Sequence, residues 1–204
     1  MPVGEAAWPD RPPQRTAELV LVALIVALLA LGVWHAGRGA WIHAKAHVAQ
    51  ILIASAWQRT LSGQAPVRPW PWADTWPVAK LTIPRLGVER YVLAGADGSA
   101  MAFGPGHATG TARPGARGNS VIAGHRDTHF DFMRHVRVGD ELVVERPDGV
   151  EVRYRVGTAE ILDRRDVWVM DQAGPSRLTL VTCYPFDALR PGGPQRYVLL
   201  AFLS

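Results

Sequence analysis

At 204 residues the chain holds one ordinary domain with room for an appendage. The net charge is +4, but the arginines are scattered (Arg85, Arg113, Arg117, Arg126, Arg137, Arg153) and no segment interleaves basic with aromatic residues, which argues against nucleic acid as a partner. A single cysteine, Cys183, excludes an internal disulfide and any cysteine-based zinc cluster.

Residues 1–18 read as a short tail rich in proline and charge, "PDRPPQRT". Leu19 to Trp34 is sixteen residues without a polar side chain. Carried on to Gly37 as a helix it reaches roughly 28 Å, close to the hydrocarbon core of a bilayer. The alternative is a cleavable signal peptide, but the apolar run is long for one and only weak small-residue sites such as "HAG" follow. We therefore expect a transmembrane anchor over 19–37. Arg11 and Arg15 before it balance Arg38 and Lys45 after it, so charge alone leaves the orientation open.

Residues 38–78 divide into two parts. Ala40 to Ser62 holds good helix formers without proline or glycine and should continue as a juxtamembrane helix. Trp41, Val48, Leu52 and Trp57 are its candidate apolar face. Residues 63–78, "GQAPVRPWPWADTWPV", form an extended linker stiffened by proline.

From residue 79 to 204 the pattern changes to short β-type segments with frequent turn residues. Strands are predicted near Ala79–Ile83, Arg90–Leu93, Ser120–Ala123, Glu141–Glu145, Glu151–Ile161, Leu178–Thr182 and Arg196–Phe202, the last one central because it is almost wholly apolar. "RPDGVEV" supplies an Asp-Gly hairpin turn. Only residues 128–138, "THFDFMRHVRV", look helical. Many strands and few helices point to a mainly β, closed or nearly closed barrel.

Cys183 ends the strand "LTLVT", where a rigid element holds a side chain steady. Cysteine is also one of the commonest buried residues, and space filling is the competing reading. A nucleophilic thiol has a pKa of about 8.5 unless a cation lowers it, so it needs a basic neighbour. Of seven histidines, His35, His43, His47 and His107 lie in the anchor, the stalk or a glycine-rich loop, leaving His125, His129 and His135. His125 mirrors Cys183: "NSVIAGH" is an apolar strand ending in Gly-His. Arg196 opens the last strand and would return beside Cys183 if the intervening loop is a hairpin connection; Arg190, inside that loop, is a rival. Asp127 and His129 stand close to the histidine motif and compete with His125.

"LTLVTCYPF" resembles the TLxTC signature of sortases, the cysteine transpeptidases of bacterial cell surfaces, and "GNSVIAGHRD" and "QRYVL" resemble the strands bearing that family's histidine and arginine. "KLTIPRLGVERYVLAG" and "MAFGPGHATGTARPGARGNS" are similar to the family's opening strands and to the loop before its histidine strand. "TCYPF" is closest to class D-like and proteobacterial forms. The resemblance covers about residues 79–204. It implies a mostly antiparallel eight-stranded barrel with short helices, with Cys183 as nucleophile, His125 as acid/base and Arg196 as the cation for the oxyanion or substrate.

Val167, Trp168, Val169 and Met170, before the cysteine strand, are by the same resemblance candidates for an apolar substrate groove; a further core strand is the competing reading. Thr182 and Tyr184, flanking Cys183, are further candidate substrate contacts. No cofactor and no metal is expected, since no convincing carboxylate cluster is present. The implied partners are a secreted protein with a C-terminal, LPxTG-like sorting signal, an amine acceptor in the envelope or on another protein, and the membrane. The implied location is the plasma (inner) membrane, single-pass, with a cytoplasmic N-terminus and an extracytoplasmic catalytic domain. Two other functions remain open: a Cys-His peptidase that releases its substrate by hydrolysis, and a non-catalytic anchored barrel that binds an envelope partner.

Overall fold

A computed structural model describes residues 14–64, 66–188, 190 and 192–204. Most of the expected tail, residues 1–13, lies outside them, as do Leu189 and Pro191 of the loop before Arg196. The chain divides into two compact units, residues 1–47 and 48–204. A single helix, α1 (Gln14–Leu61), contributes to both. In the first unit it carries the apolar run from Leu19 to Trp34, whose large side chains are all exposed, and it is long and apolar enough to cross a membrane.

The second unit is a closed barrel. Its strands are β1 (Pro77–Ile83), β2 (Val88–Ala94), β3 (Gly106–His107), β4 (Asn119–Ala123), β5 (Glu141–Glu145), β6 (Glu151–Asp163), β7 (Arg177–Tyr184) and β8 (Gln195–Leu203). Their order around the barrel is β1-β2-β3-β4-β7-β8-β6-β5. All neighbours are antiparallel except β2 with β3 and β4 with β7. This is the mainly β architecture the sequence predicts. Alternation builds it: Ala79, Leu81 and Ile83 of β1, Leu178 and Leu180 of β7, and Leu199 and Ala201 of β8 turn inward to one core with Ile122 and Tyr154. The Asp148–Gly149 turn joins β5 to β6, and Gly149 takes the positive φ of 77° that this turn needs.

Three details differ from expectation. The two-residue strand β3 has no β-favouring sequence; it forms because a glycine lets it slide close to the β2 end, where a Cβ on Gly106 would collide with the Gly95 carbonyl oxygen. The helix expected over 128–138 shrinks to one 3-10 helix, Asp131–His135, because Phe130, Phe132 and Met133 are drawn into the core and leave little free helix to propagate. The buried face of the juxtamembrane helix is Ala49, Ile53, Ala56, Trp57 and Thr60, whereas Val48, Leu52 and Trp41 are exposed. Trp57 and Ile53 set that face: Ile53 and Thr60 lie four before and three after Trp57, and Ala49 and Ala56 lie four before and three after Ile53.

Candidate active site

β4, β7 and β8 lie side by side, and each brings one of the three predicted reactive residues to the same rim. Cys183 pairs directly with Arg196 in the antiparallel β7–β8 ladder. β4 runs parallel to β7 with Ala123 opposite Val181. Beyond that pair the Gly124 N–H donates to the Val181 carbonyl (3.1 Å) and the Thr182 hydroxyl donates to the Gly124 carbonyl (2.7 Å). Equal steps from Ala123 and Val181 therefore lead to His125 on one strand and Cys183 on the other.

Alternation also sorts the faces. Leu178, Leu180 and buried Thr182 are inward on β7, so Thr179, Val181 and Cys183 share the outer face. On β8, Leu199 and Ala201 are inward, and Arg196, Val198 and Leu200 are outward with Cys183. The nucleophile candidate is thus on the outside of the wall, half-buried rather than sealed in the core.

The "AG" before His125 has a steric cause. Phe130 is fully buried against the end of β4, and a Cβ on Gly124 would stand 2.7 Å from its ring. The chain then turns back at once, with the Phe130 N–H donating to the His125 carbonyl (2.9 Å), which leaves the His125 side chain exposed at the turn. His129 is half-buried, and its loss of solvent, aided by Arg90, pushes its pKa below the usual 6.5 despite a hydrogen bond to the Ala102 carbonyl. Asp127 is exposed on the same turn.

Arg196 is half-buried, and one of its terminal nitrogens donates to the Gly193 (2.8 Å) and Gln195 (2.9 Å) carbonyls. It forms no salt bridge among the described residues. A guanidinium held this way keeps its charge uncompensated beside Cys183, where it can favour a thiolate or a developing oxyanion. Arg190 lies exposed in the loop.

The connection from β6 to β7 folds over this outer face as a 3-10 helix, Val167–Met170, not as another strand. Val169 packs on Val198 and Leu200, flanked by Leu162, Val181 and Phe202. Val167, Trp168 and Met170 stay at the surface, exposed by 69%, 39% and 37%. Thr182 faces inward and ties β7 to β4 through Gly124. Tyr184 stacks on Tyr197 and meets Phe186 edge-on, in an aromatic group of which Phe186 and Tyr197 pack on the barrel core; alternation puts it on the face opposite Cys183.

Two residues beyond those predicted hold the site's loops. Asn119, fully buried at the start of β4, donates to the Val169 (2.7 Å) and Asp171 (3.0 Å) carbonyls and accepts from the Thr179 hydroxyl (2.7 Å). Arg126, buried at the other end, donates to the Pro185 (2.8 Å), Ala188 (2.7 Å) and Arg190 (2.8 Å) carbonyls. Their one cue in the sequence is position, a polar residue at each end of an apolar strand. Among the described residues no three His, Cys, Asp or Glu side chains gather closely enough to hold a metal ion.

Comparison with known proteins agrees with this fold. The sortase domain family model matches residues 81–204. Sortase D of Bacillus subtilis (strain 168) is 32% identical over 120 residues, which cover 58% of this chain and 60% of that protein. Among solved structures, a sortase D5 transpeptidase from Clostridium perfringens is 27% identical with a TM-score of 0.55, over 63% of this chain and 79% of that one. A point variant of sortase E from Streptomyces avermitilis is 33% identical with a TM-score of 0.53, over 63% and 87%. The family model matches more than half of the sequence, and with the class D relative at this identity it leads to one conclusion: the chain belongs to the sortase family.

Proposed function

We propose that the chain is a membrane-anchored transpeptidase that cleaves an LPxTG-like C-terminal sorting signal through a thioacyl-enzyme on Cys183 and passes the acyl group to an amine. The observation that carries the reading is the adjacency of β4, β7 and β8, with Cys183 register-paired to Arg196 and His125 an equal count along the neighbouring strand. The thiolate of Cys183 attacks the scissile carbonyl carbon, and the Arg196 guanidinium stabilises the oxyanion. The C–N bond then breaks, and imidazolium His125 gives its proton to the leaving amine. In the second half an incoming amine attacks the thioester carbon and yields its proton to His125. The C–S bond breaks and the thiolate returns.

On this reading the signal's apolar residues lie along Val167, Trp168, Val169 and Met170, beside the thiol-bearing face. Thr182 supports the histidine turn from within. Residues 19–37 form the anchor, 1–18 the cytoplasmic tail, 38–78 the juxtamembrane helix and linker, and 79–204 the extracytoplasmic catalytic barrel. The substrate is a secreted protein with a sorting signal, and the acceptor is an envelope or protein amine.

The test uses the full-length chain in detergent with a quenched LPxTG-like peptide, with and without excess triglycine. The expected result is an amide conjugate that requires the amine and falls by at least about a thousandfold in Cys183→Ala. Hydrolysis that amine does not divert would instead identify a Cys-His peptidase. Equal turnover in wild type and Cys183→Ala would remove the cysteine from the chemistry altogether.

A further inference from the structure

Arg126 directly follows His125 and is only 4% exposed. Among the described residues no carboxylate pairs with it. Its guanidinium instead gathers the carbonyls of Pro185, Ala188 and Arg190, so the loop curls around the charge. Burying a guanidinium is costly unless its donors are satisfied, and backbone carbonyls do not neutralise it. A neutral apolar residue would plug the same space without that cost, so the geometry of the grip is what the arginine supplies. The gripped loop begins two residues after Cys183 and leads into β8, whose second residue, Arg196, is the partner of Cys183 in the ladder. One side chain therefore locks the backbone that carries His125 to the segment that joins the other two reactive residues.

We propose that Arg126 is a positioning residue that fixes His125 against the Cys183–Arg196 loop and thereby sets how the thioacyl-enzyme divides between amine and water. The inference rests on the transpeptidase reading above. Amine capture forms a C–N bond and breaks the C–S bond while His125 takes the amine's proton, so a bulky nucleophile must arrive on one line with the imidazole in place. Water attacks the same carbon to give a carboxylic acid, and its size lets it approach from more directions. Loosening the loop therefore costs the amine more than it costs water.

The experiment measures the ratio of triglycine conjugate to hydrolysed acid by mass spectrometry, using the full-length chain in detergent and a peptide with an LPxTG-like signal. The ratio does not depend on how much of a preparation is folded. Arg126→Gln is expected to lower it by about tenfold, within the range that a displacement near 1 Å produces. Arg126→Lys, whose one ammonium cannot span three carbonyls, should fall between Gln and wild type. Amide hydrogen exchange on the same proteins should quicken in residues 185–194 and stay unchanged in β5 and β6. An unchanged ratio with unchanged loop exchange overturns the proposal. If wild type gives neither product, the transpeptidase reading fails and the partitioning with it, while faster loop exchange still establishes the anchoring.

Discussion

The two histidines at the end of β4 differ in their access to water. His129 is half-buried and held below its usual pKa by desolvation, with Arg90 adding repulsion. A lowered pKa keeps the ring neutral until the solution is more acidic, so at neutral pH it has no positive charge to lend. His125 is exposed at the turn. We expect His125→Ala to slow iodoacetamide alkylation of Cys183 by roughly tenfold near neutral pH, as the sulfur loses a basic neighbour that favours its anion. His129→Gln should leave the pH–rate profile within about twofold of wild type, because a neutral ring adds no field. Equal slowing by both variants would show that His125 has no special hold on the thiol. Since Cys183 is the only cysteine, a membrane-impermeant maleimide on intact cells reads the barrel's side of the membrane from the same atom. Labelling is expected, and protection until lysis would reverse the orientation.

Among the elements, the strands that alternate are the ones legible in sequence. β1 and β7 declare themselves because one face must be apolar to fill the barrel, and residue type then carries the information. The same holds for Cys183, His125 and Arg196, whose places at strand ends fix their neighbours once strand order is known. β3 is not legible, because its two residues are placed by tertiary pairing to β2 and β4. Nor is the state of "VWVM": four apolar residues suit a strand, but a closed barrel has no free edge to receive one. The segment becomes a 3-10 helix whose backbone bonds are completed from outside it by Asn119. Asn119→Ala would leave the Val169 carbonyl and the Thr179 hydroxyl without their partner, while the Asp171 carbonyl keeps the Arg177 guanidinium, a cost of about 2–3 kcal/mol. Its functional mark should be a rise in KM for the sorting-signal peptide of about tenfold with little change in kcat, since it frees the groove and not the reacting groups. A fall in kcat at constant KM would argue that the 3-10 helix is not where the signal binds.

At the scale of the whole molecule the barrel does not end at its strands. The last turns of α1 bury Ala49, Ile53, Ala56, Trp57 and Thr60, and two contacts tie them to it: the Gln50 amide donates to the Phe103 carbonyl (2.6 Å) and the Trp57 indole to Glu145 (3.3 Å). Glu145 also holds Lys80 at 2.8 Å, so the tryptophan reaches the pair that spans β1 and β5. An apolar stripe of this kind is core, although residue 57 precedes the first strand by twenty positions and a proline-rich segment lies between. Removing the indole empties a closed site. Trp57→Ala should therefore cost about 3 kcal/mol, as large-to-small core changes do. For a unit of this size that lowers the melting temperature by about 6–12 °C. Trp57→Phe retains most of the apolar contact and loses the hydrogen bond to a charged acceptor, so its loss should be about 1–2 kcal/mol. Thermal unfolding of a chain starting at Val48 should match the full-length barrel, whereas one starting at Gly63 should melt lower than Trp57→Ala. Coincident melting of the two truncations would mean that the helix merely rests on the barrel.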